Sequence, residues 1–174
     1  MELSDAINFI NYETVPYKAH AIWADLGCGS GMFTYALANV LKPGSSIYAI
    51  DKIISNWQPQ INTSKILIHQ QQLDFVSEEL ELPGLDGILM ANSLHYVENK
   101  VALVNKLSKK LNDDGIFLLI EYDTAASNPW VPFPVSFNSL QVIFKKAGYS
   151  NVEKLHEKSS AFGRSNLYSV CIKH

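Results

Sequence analysis

Three glycines at alternate positions, Gly27, Gly29 and Gly31, follow an apolar run that contains Asp25. Residues 32–41 then carry apolar side chains at the i, i+3 and i+4 spacing of a helix. This order predicts a strand, a tight turn and a helix. Glycines let a turn adopt backbone conformations that other residues avoid, and they allow a ligand to approach the main chain. The amides at the start of the helix would face that ligand.

The rest of the sequence alternates in the same way. Apolar runs predict further strands at 46–51, 65–69, 86–92 and 116–121, and helical spacing predicts helices at 3–10, 52–57, 97–111 and 140–147. Ser4 or Asp5 would cap the first helix, and residues 112–115 would end the fourth. Such alternation favours an α/β fold with a doubly wound parallel sheet. Two last strands, near 151–158 and 166–172, are joined closely enough to predict an antiparallel hairpin.

Composition narrows the function classes. The chain has 174 residues, of which 47% are hydrophobic, so we expect one domain spanning 1–174. Its formal net charge of −3 argues against nucleic acid or an anionic membrane as a partner. Cys28 and Cys171 have no metal-ligand spacing, and neither a leader nor a membrane-spanning run is visible, so we expect a cytoplasmic protein.

The spacing of acids and glycines points to the kind of ligand. Asp51 ends the second strand twenty positions after Gly31, where a carboxylate can accept hydrogen bonds from a ribose diol. A nicotinamide dinucleotide would also suit this arrangement. However, its loop needs a glycine where Met32 stands, and Asp25 would repel a diphosphate. Asp25 could instead pair with an ammonium group. No Gly-Lys-Ser/Thr follows the glycines, which excludes the phosphate loop of nucleotide hydrolases.

The segment Asp25-Leu26-Gly27-Cys28-Gly29-Ser30-Gly31 resembles the acid-x-Gly-x-Gly-x-Gly signature of class I S-adenosylmethionine-dependent methyltransferases, and in particular of their small-molecule members. Asp51, Asp74-Phe75 and the segment 91–96 stand where that family has its later cofactor motifs. The resemblance covers nearly the whole chain. It implies a Rossmann-like, seven-stranded, mostly parallel sheet with one antiparallel strand near the C-terminus, and S-adenosylmethionine as cofactor.

The resemblance also assigns roles to residues of the cofactor site. The glycine loop would line the methionine part, and Asp51 would bind the ribose hydroxyls. Asp74 would accept from the adenine amino group while Phe75 or Ile53 packs on the ring. The main chain at Ala91 or Asn92 would hold the ammonium. The complete cofactor-binding set is Asp25, Gly27, Cys28, Gly29, Ser30, Gly31, Asp51, Lys52, Ile53, Asp74, Phe75, Ala91 and Asn92.

Catalysis and acceptor binding are less constrained by the sequence. Methyl transfer needs alignment more than acid or base chemistry. His95, just beyond the fourth strand, is the candidate base, and the alternative is a residue that packs locally. His69, His156 and His174 form no constellation, so no metal is expected. The predicted substrate-binding residues are Tyr12, Tyr17, Tyr96, Trp130 and Phe133, with 1–20 as an N-terminal helix and cap and the proline- and aromatic-rich segment 123–138 as a lid or wall.

The segment Asn92-Ser93-Leu94-His95 lacks the two prolines of the family's amino methyltransferases that act on adenine, cytosine or glutamine nitrogen, so a small-molecule acceptor is expected. The protein would act as a monomer or homodimer. Two other readings stay open. One is a module that binds S-adenosylmethionine without catalysis, for which a pocket without acceptor-sized space would be the sign. The other is a nicotinamide oxidoreductase, against which Met32 and Asp25 argue.

Overall fold

A computed structural model describes residues 1–53, 57, 66–159 and 165–174. These residues form four helices and one seven-stranded sheet. The elements are α1 (Leu3–Ile10), β1 (Ile22–Leu26), α2 (Met32–Val40), β2 (Ser46–Asp51), β3 (Leu67–Gln72), β4 (Leu85–Ala91), α3 (Lys100–Ser108), β5 (Leu111–Tyr122), α4 (Phe137–Lys146), β6 (Asn151–Ser159) and β7 (Asn166–Lys173). The helix predicted at 52–57 falls largely outside the described residues.

The strand order is β3-β2-β1-β4-β5-β7-β6. β1 pairs in parallel with β2 and β4, and β2 and β4 extend the parallel ladder to β3 and β5. β7 runs antiparallel to both of its neighbours, β5 and β6. The predicted fold class is therefore confirmed, including the single antiparallel strand near the C-terminus. The winding reverses between β1 and β4, so their carboxyl ends border the crevice where such sheets bind ligands.

Both faces of the sheet are covered, because successive side chains of a strand point to opposite sides. On β5, Phe117 and Leu119 pack into a core with α3 and α4, whereas Leu118 and Ile120 pack into a second core with α1 and α2. All four side chains are completely buried. This explains why the sequence of β5 is nearly continuously apolar rather than alternating.

The boundary between α3 and β5 differs from the sequence prediction. α3 ends at Ser108, and β5 already begins at Leu111, where the sequence predicts the last turn of the helix. The reason is pairing with β4: Leu111 is in register with Leu85, and the amide of Leu85 donates to the carbonyl of Lys110 at 2.8 Å. A long-range strand pairing thus overrides the helical spacing of the segment.

Two smaller predictions are also corrected. β3 runs to Gln72 rather than ending at His69, because each residue from Leu67 to Gln72 pairs with one of β2. The N-cap of α1 is Glu2, without a side-chain cap, and neither Ser4 nor Asp5 has that place. Instead, Asp5 forms an ion pair with Lys158 of β6, with 2.7 Å between Oδ1 and Nζ.

Candidate active site

A cavity of about 1010 Å³ lies at the carboxyl ends of the parallel strands. One side is formed by the glycine loop after β1 together with the ends of β2 and β4. The other side is formed by α1, by the beginning of α2 and by the end of β6 together with the beginning of β7. Elements from both halves of the chain therefore share one cavity, at the place where a doubly wound sheet binds ligands.

Gly27 is held against the turn that follows β4. Its φ of +79° lies in the left-handed region, and a Cβ built on it would stand 2.4 Å from the Cβ of Ser93. The Ser93 hydroxyl donates to the carbonyl of Leu26 at 2.7 Å. Only glycine fits this close approach. The contact fixes the glycine loop relative to the β4 turn.

Gly29 presents bare main chain to open space. A Cβ built on it meets no atom within 4 Å. Its amide donates to Asp51 Oδ2 at 2.9 Å, and its carbonyl accepts from Trp57 Nε1 at 3.0 Å. Asp51 Oδ1 accepts in turn from the amide of Ile53 at 3.0 Å. The carboxylate at the end of β2 thus holds the loop in place while keeping acceptor capacity on both oxygens.

Asp25 has an incomplete set of partners although it is 1% exposed. The Thr34 hydroxyl donates to its Oδ2 at 2.5 Å, while Oδ1 has no partner among the described residues. Burial raises the pKa of Asp25 to about 7; the hydroxyl of Thr34 opposes this and the charge of Asp51 adds to it. A buried carboxylate oxygen without a donor is costly. Because Asp25 lines the cavity, a cationic donor bound there would satisfy it.

Asn92, at the end of β4, has the second unpartnered oxygen of the cavity wall. Its φ of +53° is unusual for a residue with a side chain. Its amide donates to the carbonyl of Ile120 at 2.8 Å, whereas its buried Oδ1 has no partner in the described part of the chain. Backbone strain and an unsatisfied acceptor at one residue are typical of ligand sites.

The residues after β3 complete this side of the cavity. The amide of Val76 donates to Asp74 Oδ1 at 2.9 Å, and this bond is the largest cause of the lowered pKa of Asp74. Phe75 is 8% exposed and lines the cavity. Ile53, the alternative ring-packing residue, is 65% exposed and lies outside the cavity wall. Phe75 is therefore the better placed of the two.

Nearly all the predicted cofactor-binding residues lie in this wall. The exceptions are Ile53 and Gly31. A Cβ on Gly31 would stand 2.8 Å from the indole of Trp57, so this glycine makes room for a tryptophan rather than for a ligand. Trp57 itself was not predicted, because nothing in its local sequence indicates contact with the loop. Cys28 does line the cavity, and burial raises the pKa of its thiol.

His95 does not line the cavity. It is 2% exposed, and its Nδ1 lies 2.6 Å from Oε2 of Glu121, which is 1% exposed. The ring lies 4.4 Å from that of Tyr96 and 6.4 Å from that of Tyr122, measured between centroids. Both tyrosines line the cavity. The imidazole therefore lies behind the wall that these tyrosines form, rather than facing the cavity as the predicted base would.

Of the five predicted substrate-binding residues, the structure brings Tyr96 to the cavity. Tyr12 borders a separate groove of about 510 Å³ between α1 and β6. Tyr17 donates to the carbonyl of Ile10 at 2.6 Å and packs on Trp23 in the core. Trp130 is 79% exposed on its loop, and Phe133 is 37% exposed beside Lys100. Neither Trp130 nor Phe133 lies in the cavity wall. The amides of Trp130 and Val131 both donate to Asn128 Oδ1, and the amide of Phe133 donates to the carbonyl of His95.

The comparisons with known proteins agree with this geometry. The model of a family described as methyltransferase domain matches residues 24–117, which span the glycine loop and β1 to β5. The chain belongs to this methyltransferase domain family. Together with the seven-stranded sheet, the match identifies a class I S-adenosylmethionine-dependent methyltransferase. No curated protein sequence shows a significant match.

Solved structures match the fold of this methyltransferase at low identity. An S-adenosylmethionine-dependent methyltransferase from Aquifex aeolicus has a TM-score of 0.63 and 17% identity, with all of both chains covered. The 1,6-didemethyltoxoflavin-N1-methyltransferase of Burkholderia thailandensis has a TM-score of 0.73 and 15% identity, covering 98% of this chain and 77% of that one. The chain spans 55% of the length of a matched protein from Nostoc punctiforme, which has a TM-score of 0.64 and 14% identity and covers 98% of this chain.

The cavity of the methyltransferase fits S-adenosylmethionine by its own chemistry. The buried acceptors on Asp25 and Asn92 lack donors, as an ammonium site requires, and the bare main chain at Gly29 leaves room beside them. Among the described residues, no group of three or more His, Cys, Asp or Glu side chains could hold a metal ion. Within the same residues, no helix is long and apolar enough to cross a bilayer.

Several residues of the methyltransferase cavity were not predicted from the sequence. Six of these ten come from the N-terminal segment and from the β6–β7 hairpin, which meet at the cavity although they are about 150 residues apart. The set comprises Met1, Asp5, Phe9, Met32, Phe33, Val76, Val97, Lys158, Ser159 and Leu167. Met32 and Phe33 directly follow the glycine loop, and that position was the one local signal available for them.

Proposed function

We propose that this methyltransferase transfers the methyl group of S-adenosylmethionine to a small-molecule acceptor. When bound, the cofactor supplies a methyl carbon activated by positive sulfur, which an acceptor nucleophile displaces in line. The task of the protein is then to hold the two molecules in a row. The observation that carries the proposal is that one cavity is lined both by the glycine loop and by the aromatic rings of Phe9, Tyr96 and Tyr122.

In this proposal each residue of the cofactor half of the cavity contacts a particular part of S-adenosylmethionine. Asp51, already fixed by the amides of Gly29 and Ile53, accepts from the ribose hydroxyls. Asp74 accepts from the adenine amino group, and Phe75 packs against the ring. The unpartnered oxygens of Asp25 and Asn92 support binding of the ammonium group between β1 and β4.

The other half of the cavity has the character of an acceptor site. About 1010 Å³ lies at the upper end of the roughly 300 to 1,000 Å³ typical of small-molecule pockets, which leaves space beyond a nucleoside. Its walls include Phe9 and Leu167, which are 1% and 5% exposed, and the phenols of Tyr96 and Tyr122. Asp5 and Lys158 of the same walls pair with each other, so the apolar surface and the two phenols favour a planar, largely apolar acceptor. The cavity volume beyond that of a nucleoside argues against a module that binds the cofactor without catalysis.

Two further observations favour a small molecule. The segment after β4, Asn92-Ser93-Leu94-His95, lacks the prolines found in enzymes that methylate amino groups of nucleobases. The Burkholderia structure with the same fold holds 1,6-didemethyltoxoflavin together with S-adenosylhomocysteine. Residues 1–174 work as one unit in this proposal, because α1, the β-strand ends and the hairpin share one cavity.

Calorimetry and turnover test the proposal. S-adenosylhomocysteine and NAD are titrated in parallel, and S-adenosylhomocysteine alone is expected to bind. A panel of phenols, aromatic amines and thiols is then incubated with S-adenosylmethionine, and formation of S-adenosylhomocysteine is measured. Binding of NAD in place of S-adenosylhomocysteine would refute the proposal. Tight binding with no turnover across a broad panel would favour the non-catalytic module.

Asp51→Ala is expected to weaken binding of S-adenosylhomocysteine by roughly 1.5 to 3 kcal/mol, about 10- to 150-fold in Kd, because charge-assisted hydrogen bonds to the ribose are lost. The amide of Gly29 also loses its acceptor, so the loop becomes less well held. Titration calorimetry measures the change. The control is Asp114→Ala, since that carboxylate pairs with Lys18 outside the cavity wall. Equal affinities of the wild type and Asp51→Ala would remove Asp51 from the site.

A further inference from the structure

Glu121 is a buried carboxylate whose bonds all go to one short turn. It stands near the end of β5, and its Oε1 accepts from the amides of Leu94 and His95 at 2.9 and 3.2 Å. Its Oε2 lies 2.6 Å from His95 Nδ1. Three hydrogen bonds thus tie residues 94 and 95 to one side chain, and such a carboxylate is rigidly held.

The turn that Glu121 holds carries part of the cavity wall. Leu94–Tyr96 forms a single 3-10 turn, and Tyr96 is 56% exposed and lines the cavity. Tyr122, which directly follows Glu121 in β5, lines it as well. The imidazole of His95 lies against both rings, closer to Tyr96. Movement of His95 or Glu121 would therefore displace these phenols.

The neighbouring cofactor residues are held by different bonds. The amide of Asn92 donates to the carbonyl of Ile120, and the hydroxyl of Ser93 donates to the carbonyl of Leu26. Neither bond involves Glu121 or His95. In the segment after β4, residues 92 and 93 are thus bonded to β5 and to the glycine loop, whereas Leu94 and His95 are bonded to Glu121. The amide of Tyr96 links the two parts by donating to the carbonyl of Ser93 at 3.3 Å, and the amide of Phe133 donates to the carbonyl of His95 at 3.0 Å.

We propose that His95 and Glu121 form a positioning pair that places Tyr96 beside Tyr122 for contact with the acceptor, and that His95 does not itself take a proton from it. This inference rests on the proposed function, since it concerns the acceptor end of the same cavity. It revises the role that the sequence suggests for His95. The two phenols offer hydrogen bonds to a nitrogen or oxygen of the acceptor. The phenol of Tyr122 is protonated at neutral pH, and burial, together with the nearby charge of Glu121 and Tyr96, raises its pKa further.

Two substitutions of His95 separate positioning from base catalysis. His95→Phe keeps a ring but removes the donor to Glu121, whereas His95→Asn keeps a nitrogen donor near the place of Nδ1 and has no titratable group. His69→Phe is the matched control, because His69 stacks on Tyr48 on the edge strand β3. Each variant is titrated with S-adenosylhomocysteine, crystallised with and without it, and assayed with whichever panel acceptor is turned over.

We expect Kd for S-adenosylhomocysteine to change less than about threefold in all three variants. In His95→Phe, Tyr96 is displaced and KM for the acceptor rises at least about tenfold, as expected for loss of a charge-assisted bond. In His95→Asn, Tyr96 stays in place and KM remains near the wild-type value. An unmoved Tyr96 in His95→Phe, or loss of turnover in His95→Asn with Tyr96 in place, would overturn the inference.

Amide exchange provides a readout that needs no acceptor and no His95 variant. In Glu121→Gln, the amides of Leu94 and His95 are expected to exchange at least about tenfold faster than in the wild type, while the amide of Asn92 is unchanged. Equal acceleration at all three amides would indicate general loosening and would contradict the inference. Failure of the wild type to bind S-adenosylhomocysteine would refute the proposed function alone, since exchange and the position of Tyr96 are read in the free protein.

Discussion

Gly27→Ala is expected to lower the free energy of unfolding by about 2 to 5 kcal/mol and to weaken binding of S-adenosylhomocysteine at least about a hundredfold. The new Cβ would stand 2.4 Å from the Cβ of Ser93, at a φ of +79° that alanine adopts only under strain. Relief requires the loop after β1 to move away from the turn after β4. A displacement of about 1 Å in a positioning element suffices for losses of this size.

Alanine substitutions at two other glycines distinguish backbone strain from a steric clash of the new Cβ. Gly148→Ala also forces a positive φ, +94°, but meets no atom within 4 Å and lies just beyond α4, so we expect only about 1 to 2 kcal/mol of destabilisation and unchanged binding. Gly29→Ala likewise meets no atom, yet its methyl group would project beside the cavity. Because its φ is also positive, +50°, it should cost about 1 to 2 kcal/mol of stability, as Gly148→Ala does, but it should weaken binding as well. Urea unfolding and calorimetry measure both quantities. Equal destabilisation by Gly27→Ala and Gly148→Ala would show that Ser93 does not confine Gly27.

Asp25→Asn is expected to act in opposite directions on stability and binding. At pH 8 the wild-type protein keeps a buried carboxylate ionised, so the neutral amide should raise the free energy of unfolding by roughly 3 to 5 kcal/mol. The same change removes the negative charge proposed to attract the ammonium group, so S-adenosylhomocysteine should bind at least about tenfold more weakly. Thermal unfolding and calorimetry at pH 8 test the two signs together. A variant that is less stable and binds normally would contradict both parts.

The pH dependence follows from the same carboxyl group. Its folded pKa, about 7, lies above its ordinary value of 3.8, so the folded protein binds the proton more tightly than the unfolded chain does. The contribution of Asp25 to stability is therefore fully present below about pH 4 and is lost as the pH rises through 7. Affinity for S-adenosylhomocysteine should rise over the same interval, since ionised Asp25 is the binding form. Both trends should be absent in Asp25→Asn.

Thr34→Val provides the matched control for this titration. The Thr34 hydroxyl donates to Asp25 Oδ2 and lowers the pKa of that carboxyl group against the effect of burial. Without the hydroxyl, the midpoint of the pH dependence should move upward. Valine has nearly the same shape as threonine, so the packing of α2 is largely kept. A midpoint that does not move would indicate that another group titrates.

The cofactor half of the site could be predicted from the sequence because its signals are local. A ligand loop built from Gly27 and Gly29, and acids such as Asp51 at strand ends, follow from a few neighbouring residues and the rule that parallel strands end at one edge. The fold class follows from the same alternation of strands and helices. These features need no knowledge of which distant residues meet.

Apart from Tyr96, the cavity wall beyond the predicted cofactor residues could not be predicted in this way. Phe9 and Leu167 reach the cavity through packing between elements far apart in sequence, which no local pattern encodes. Trp130 is an aromatic residue in a proline-rich segment, but the structure leaves it 79% exposed and outside the cavity wall. The orientation of His95 depends on Glu121, which is 26 residues away in sequence. In the same way, the start of β5 at Leu111 depends on its pairing with Leu85. Each depends on a tertiary contact.

The ion pair between Asp5 and Lys158 joins α1 to the β6–β7 hairpin, and both residues line the cavity. These two segments line part of the cavity and contribute no residue to the glycine loop. Under the proposed function, substitutions in α1 or the hairpin are therefore expected to alter acceptor choice while binding of the methyl donor at the glycine loop is unchanged.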